Sequence, residues 1–257
     1  MAARRRKEGT PTKRRTGAGL GDERSGSDMY HTDKAFEAEL TELREKLLTV
    51  GGIVEQAIVR SVRALAERDS NLAREVIEND RRVNLLEVEI DELSIRMLAL
   101  RQPAASDLRF ITLALKIVTD LERIGDLAVN VAERAMELNE EAPIRPYVDI
   151  PRMAEIAEKM LTMALDAFVA SDAAKARAVL ARDDEVDELY HTVFSELVEL
   201  MKEDPGITKR AMAILFIAKH LERIADHATN VAEMVIYFVE GRDVRHPRSR
   251  ETPGAEG

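Results

Sequence analysis

The chain contains no cysteine and no tryptophan among its 257 residues. The first absence rules out disulfides, thiolate metal sites and cysteine nucleophiles, and it fits a reducing compartment. Aromatic residues are scarce, with six Phe and four Tyr. A core must therefore come from Leu, Ile, Val and Ala, a composition that favours helix over sheet. No apolar run approaches the roughly 18–20 residues of a membrane-spanning helix; the longest is Ala211–Ala218. The Arg-rich N-terminus lacks the apolar stretch of a signal peptide, so a cytoplasmic protein is expected. There is also no Gly-rich phosphate loop, no Ser/His/Asp order and no H-E-x-x-H zinc signature. No catalytic and no organic-cofactor residue is assigned.

Charge is plentiful and uneven. The formal net charge is −10. Residues 1–28 hold eight bases and four acids, which leaves 30 bases against 44 acids in the remainder. So acidic a body repels nucleic acid and suits cations.

Polar, Gly-containing sequence at 1–32 is expected to be a disordered basic tail, and 241–257 a second one. Between them, apolar residues recur every three or four positions. Phe36, Leu40, Leu43, Leu47, Val50, Val54 and Ile58 mark a first helix from about Asp33 to Glu67. Asp69-Ser70-Asn71 supplies N-caps for a second, which Pro103 ends. A third runs from Asp107 to about Asn139, and prolines then mark 141–151 as a linker. A fourth helix is expected over Arg152–Ala170, a fifth capped at Ser171-Asp172 and reaching Glu203, and a sixth running to Glu240 after the turn Asp204-Pro205-Gly206. The fold class is all-α: two tandem antiparallel three-helix bundles, over 33–140 and 152–240.

The chain then repeats itself. Asp120–Glu133 and His220–Glu233 share ten of fourteen residues at an offset of 100. On a helical wheel, Ile117, Leu121, Ile124, Leu127, Ala128, Val131 and Ala135 form the core face. Glu122, Asp126 and Asn130 lie roughly opposite, as do Glu222, Asp226 and Asn230. Like charges four apart on a helix repel, so a merely solvated face has little reason to duplicate them.

Neighbouring helices carry a second doublet each, Asp80 with Asn84 and Asp183 with Asp187. In an antiparallel hairpin, residues equidistant from the turn share one level. Asp80 with Asp126, and Asn84 with Glu122, are centred on position 103; Asp183 with Asp226, and Asp187 with Glu222, on 204.5. Both centres fall on the turns placed above from proline. Each hairpin is expected to gather oxygen ligands for metal: Asp80, Asn84, Glu122, Asp126 and Asn130, then Asp183, Asp187, Glu222, Asp226 and Asn230. Such donors suit hard or borderline ions, Mg, Mn, Ca or Fe, with Zn a further divalent candidate.

Three rival readings stand beside this one. The acids are a solvated face on a plain scaffold. Glu188 and His191 form a single Glu-x-x-His, where di-iron enzymes use two. His220 and His227 are surface histidines, and Arg123 and Arg223 pair with nearby acids or contact phosphate.

Arg101–Ala135, RQPAASDLRFITLALKIVTDLERIGDLAVNVAERA, resembles the signature segment of the PhoU family, and LERIADHATNVAE has the place of its repeat. Phe36–Ile58 resembles that family's first helix. The resemblance implies two three-helix bundles and multinuclear metal clusters on E/D-x-x-x-D motifs, here Glu122–Asp126, Glu222–Asp226 and Asp183–Asp187. Asp80–Asn84 departs from a strict acid pair. It further implies a regulator without catalytic activity that links phosphate ABC transporter subunits to a sensor histidine kinase, meeting the membrane only through them. The Leu and Val content allows a homodimer without requiring one.

Overall fold

Leu and Ala at three-and-four spacing wind this chain into helices, and no strand occurs among the described residues. The computed structural model describes residues 23–144 and 149–241, with side chains from 34 onward. Most of the expected N-terminal tail, part of the linker and nearly all of the second tail therefore lie outside the described residues.

Seven α-helices follow in order: α1 (Glu23–Ala66), α2 (Ser70–Arg101), α3 (Ala105–Asn139), α4 (Asp149–Ala170), α5 (Ala173–Leu180), α6 (Asp183–Glu203) and α7 (Thr208–Glu240), the last entered through a 3-10 turn at Pro205–Ile207. α1 begins at Glu23, inside the segment expected as a tail; no proline stands between there and Asp33 to stop a helix. α4 begins at Asp149, within the expected linker, because a proline such as Pro151 is tolerated in a first turn. The expected fifth helix is broken into α5 and α6. At the break, Arg182 N donates to Val179 O at 2.9 Å, an i→i−3 bond. Asp183, Asp184 and Glu185 then stand in the first turn of α6. Acids favour that position over a helix interior.

The turns are built as the caps foretell. Asp69 Oδ1 accepts from the backbone N–H of Asn71 and Leu72 at 2.9 and 3.1 Å. Asp172 does the same for Ala174 and Lys175. The residue before each cap, Arg68 and Ser171, has positive φ, a left-handed close that glycine usually provides. Arg68 offsets that cost by donating to the Asn139 and Glu141 carbonyls at 2.7 and 2.6 Å. Arg101 closes α2 with a two-pronged bond to Glu39 of α1.

α1, α2 and α3 pack on one another, and α7 packs on α4, α5 and α6. The two bundles also meet, α3 on α7 and α1 on α4. One continuous core results, from Leu43 through Ile117 and Met160 to Ile236. Gly51 brings α1 and α4 close, since any Cβ there would strike Leu165. At the far end Phe110 stacks on Phe168, with ring centroids 5.5 Å apart.

Two serines are fully buried. Ser61 Oγ donates to the Ile58 carbonyl at 2.9 Å, whereas Ser94 Oγ finds no partner. A buried hydroxyl without a partner carries its desolvation cost uncompensated. Ser94→Ala is therefore expected to raise stability by about 1 kcal/mol, seen as a higher urea midpoint with an unchanged slope; a lower midpoint contradicts it.

Candidate functional site

The first site lies where α2 crosses α3. Asp80 and Asn84 sit one turn apart on α2, and Asn84 Nδ2 donates to Asp80 Oδ2 at 3.0 Å. Opposite them α3 has Gly125, where an added Cβ would stand 3.2 Å from Asp80 Oδ1. The missing side chain lets the helices close over a carboxylate. Glu122 and Asp126 flank Gly125. Burial raises the pKa of Asp80; the Asn84 amide opposes this and the Asp126 charge adds to it. Burial also raises Glu122, and the charges of Asp126, Glu87 and Asp80 raise it further against Arg123. A cleft of about 110 Å3 runs beside Asp80 and Gly125, between Arg60, Asn79 and Val129.

The second site repeats the plan where α6 crosses α7. Burial raises Asp183, as do Asp187 and Glu222. Asp226 is raised by burial and then by Glu222, Asp183 and Asp187. Across each hairpin the acids act on one another, Asp126 on Asp80 and Asp183 on Asp226.

Their surroundings differ from expectation. The glutamates do not stand on an open face opposite the core, whereas Asp187 and Asp226 are exposed. Glu122 and Glu222 are only 19% and 14% exposed. A wheel finds the main core direction, but α3 and α7 each touch three or more neighbours, and the acid edge faces one of them. Among the described residues no group of three or more Asp, Glu or His is placed to hold a metal ion as it stands. Cationic side chains stand beside the acids. Arg123 lies 3.6 Å from Glu122 and 3.7 Å from Asp126. Lys219 Nζ donates to Glu222 Oε1 at 2.6 Å and sits 5.2 Å over the Tyr190 ring. The other oxygen, Glu222 Oε2, is buried without a hydrogen-bond partner, an acceptor that a cation would satisfy. The donor set of carboxylates is that of a hard-cation site. It fits a metal once side chains turn toward it.

Asn230 departs from its assigned place. Its Nδ2 stands 3.4 Å from Asp120 Oδ1 on α3, so it serves the contact between bundles and not the acid cluster. Asn130, its counterpart, is half-buried on α3. The histidines also differ from expectation. His227 Nδ1 lies 2.7 Å from Asp120 Oδ1. His220 is half-buried, its pKa lowered by burial and by Arg223 and Arg134. Glu188 and His191 are exposed on α6 and join neither cluster. Three participants escaped the sequence reading. Glu87, raised by burial and by Asp91, lies two turns after Asp80, a spacing that would have placed it on the same face. Lys219 and Thr229 carry no such signal; Thr229 Oγ1 is 3.3 Å from Asp183 Oδ1.

A family model for the PhoU domain matches residues 47–135 and again 150–235. The chain belongs to the PhoU family. Its two PhoU segments fall within α1–α3 and α4–α7. It is 48% identical to the phosphate-specific transport system accessory protein PhoU homolog of Pseudomonas aeruginosa, over 84% of this chain and 90% of that one. The homolog of the same name from Aquifex aeolicus is 47% identical, over 83% and 96%. The crystal structure of PhoU from P. aeruginosa superposes with a TM-score of 0.78, covering 80% of this chain and all of that one. The phosphate transport system regulatory protein PhoU from Streptococcus pneumoniae gives 0.76 at 32% identity, over 81% and 99%.

The raised carboxyls set the pH response. Each holds its proton more tightly in the folded chain than in the unfolded one. Stability from this source is present below the ordinary values of 3.8 for Asp and 4.5 for Glu, and is lost as pH rises through the higher folded values. Asp226→Asn removes one of the repelling charges. In chelator-treated buffer it is expected to add about 0.5 kcal/mol at pH 7. The gain should vanish below the ordinary Asp value of 3.8, where Asp226, raised above it, is itself protonated. Urea unfolding at both pH values reads it, and a variant less stable at pH 7 contradicts the repulsion.

Proposed function

We propose that this chain is a non-enzymatic regulator of phosphate uptake and phosphate-starvation signalling. It works in the cytoplasm between phosphate ABC transporter subunits and a sensor histidine kinase, and it binds divalent or iron-type ions in its two acidic grooves. Support for the role comes from relatives named phosphate-specific transport system accessory proteins at up to 48% identity. No helix among the described residues is long and apolar enough to cross a membrane, so contact with a transporter runs through protein surfaces.

One observation carries the metal reading: carboxylates from two helices repel one another in each hairpin, with Asp80, Glu122, Asp183 and Glu222 half-buried and Asp187 and Asp226 exposed. Asp80, Glu87, Glu122 and Asp126 would hold an ion in the first groove, with the Asn84 amide oxygen as a neutral donor. Asp183, Asp187, Glu222 and Asp226 would hold one in the second. The bound ion supplies positive charge that cancels the repulsion. The protein supplies donors on rigid helices, partly shielded from water, so the interaction is stronger than on an open surface. Arg123 and Lys219 hold the acids meanwhile and must release them. A groove that changes charge on loading gives an accessory protein two surfaces, one acidic and one neutralised, to present to partners.

Two measurements test this. Metal analysis after incubation with Mn2+ and desalting should find bound metal in the wild type and loss of most of it in Glu122→Ala/Glu222→Ala; equal content in both removes the site assignment. In cells, deletion of the gene should leave phosphate-starvation genes expressed in phosphate-rich medium. Normal repression in the deletion strain overturns the regulatory role.

A further inference from the structure

A cleft of about 190 Å3 lies between the first half of α3 and the last turns of α7, and it shares no residue with either acidic groove. Arg109 and Lys116 line it from α3; Glu233, Met234, Tyr237 and Phe238 line it from α7. The two cations are exposed and stand seven residues apart, two turns along one helix face. Neither has an ion-pair partner among the described residues. Carboxylates are not scarce in this chain, at 48 acids against 38 bases, yet none serves either side chain. The opposite wall is aromatic. Tyr237 is 48% exposed, a large ring left open to water. Phe238 meets Phe110 edge-on at 6.4 Å, and Phe110 stacks on Phe168, so this wall is anchored in the core. Phe110 against Phe238 and Asp120 against His227 set α3 and α7 antiparallel. Tyr237 therefore lies near the level of Arg109, and Glu233 nearer that of Lys116.

The internal repeat provides a control. At its offset of 100, Arg109 and Lys116 correspond to Lys209 and Phe216, while Glu233, Met234 and Tyr237 correspond to Glu133, Arg134 and Glu137. There both cations are matched: Lys209 lies 3.4 Å from Glu141, and Arg134 lies 2.7 Å from Glu137. The same packing of α3 on α7 is thus satisfied with paired cations and with charged groups in place of Met234 and Tyr237. The unpaired cations and the open ring of this cleft are not a by-product of building the bundles.

Two cations alone would suit any anion; the rest of the lining narrows the class. A ring and a thioether side by side suit a flat, polarisable partner, and the guanidinium of Arg109 stacks on such a plane as well. The Glu233 carboxylate disfavours a bare, multiply charged anion and accepts hydrogen bonds from hydroxyls. Lys116 supplies a compact positive charge of the kind that holds a phosphate. A flat ring, then hydroxyls, then a phosphate, in that order along the cleft, are the parts of a nucleotide. We infer that the α3–α7 cleft binds a nucleoside phosphate, its base against Tyr237 and Arg109, its sugar beside Glu233 and its phosphate on Lys116. Stacking of a base on an aromatic ring tolerates any base, so the site selects for the three-part ligand and not for one base. The inference stands apart from the phosphate-signalling role and from metal binding.

Equilibrium dialysis of the full chain against AMP, from about 0.02 to 2 mM, tests it, in chelator-treated buffer so that metal in the acidic grooves cannot hold the phosphate. Saturable, single-site binding is expected, with Kd on the order of 0.1–1 mM. Adenosine and inorganic phosphate each carry only part of the ligand and should bind about tenfold more weakly or worse. Lys116→Gln and Tyr237→Ala should each weaken AMP about fivefold or more, whereas Lys116→Arg should stay within about threefold of the wild type. Both positions are exposed, so circular dichroism should find the helix content of every variant unchanged. Absence of saturable AMP binding overturns the inference. So does inorganic phosphate or adenosine that binds as tightly as AMP, or AMP binding indifferent to Lys116→Gln and Tyr237→Ala.

Discussion

The packing of α3 on α7 governs the rest of the molecule. Each of these helices closes its own bundle and also meets its counterpart, so the core runs unbroken through both repeats. That double duty leaves only one edge of each helix outside the apolar contacts. Glu122 and Asp126 occupy this edge on α3, Glu222 and Asp226 on α7. The same packing presses the edge toward α2 or α6, which is why Glu122 and Glu222 are half-buried while Asp226, a turn further on, stays exposed.

The four differences within the fourteen-residue repeat read naturally against this arrangement. Asp120 faces His220 in the alignment and Leu127 faces His227, yet in space Asp120 meets His227 and Asn230 across the α3–α7 contact. The two bundles are therefore joined by an exchange that a perfect repeat would forbid. Gly125 against Ala225 marks where Asp80 comes nearest to the backbone of α3. Val129 against Thr229 exchanges a wall of the cleft near Asp80 for a hydroxyl beside Asp183. Identity is concentrated where both sites and both cores need the same residue, and it fails where only one of them does.

Much of this was legible in the sequence, for identifiable reasons. Asp69, Pro103, Asp172 and Asp204-Pro205-Gly206 fix the turns through local chemistry, so the helix count and the hairpin register follow from short stretches of chain. Once the register is set, the level shared by Asp80 with Asp126, and by Asp183 with Asp226, is arithmetic. Burial of the acids was not legible, because a wheel drawn for one helix does not show how many neighbours it has. The turn of Asn230 toward Asp120 depends on α3 lying against α7, a contact between residues 110 apart. The break between α5 and α6 lies just ahead of three successive acids in the first turn of α6, a cue that apolar periodicity alone passes over.

The counter-charges complete the physical case for the acids. Both grooves hold an excess of carboxylates, and each has found a different cation. In the first, Arg123 reaches across its own helix to two carboxylates at 3.6 and 3.7 Å from a mostly exposed position. In the second, Lys219 makes a 2.6 Å bond to Glu222 Oε1 and is steadied by the face of Tyr190. At the position of Lys219 the first repeat has Thr119, and the Tyr190 position is held there by Glu87. Between the repeats, Asp187 likewise has Asn84 as its counterpart, while Arg123 recurs as Arg223. Glu122, Asp126, Glu222 and Asp226 recur in both repeats while what balances them differs in part, so the two grooves meet the same carboxylate repulsion with different counter-charges.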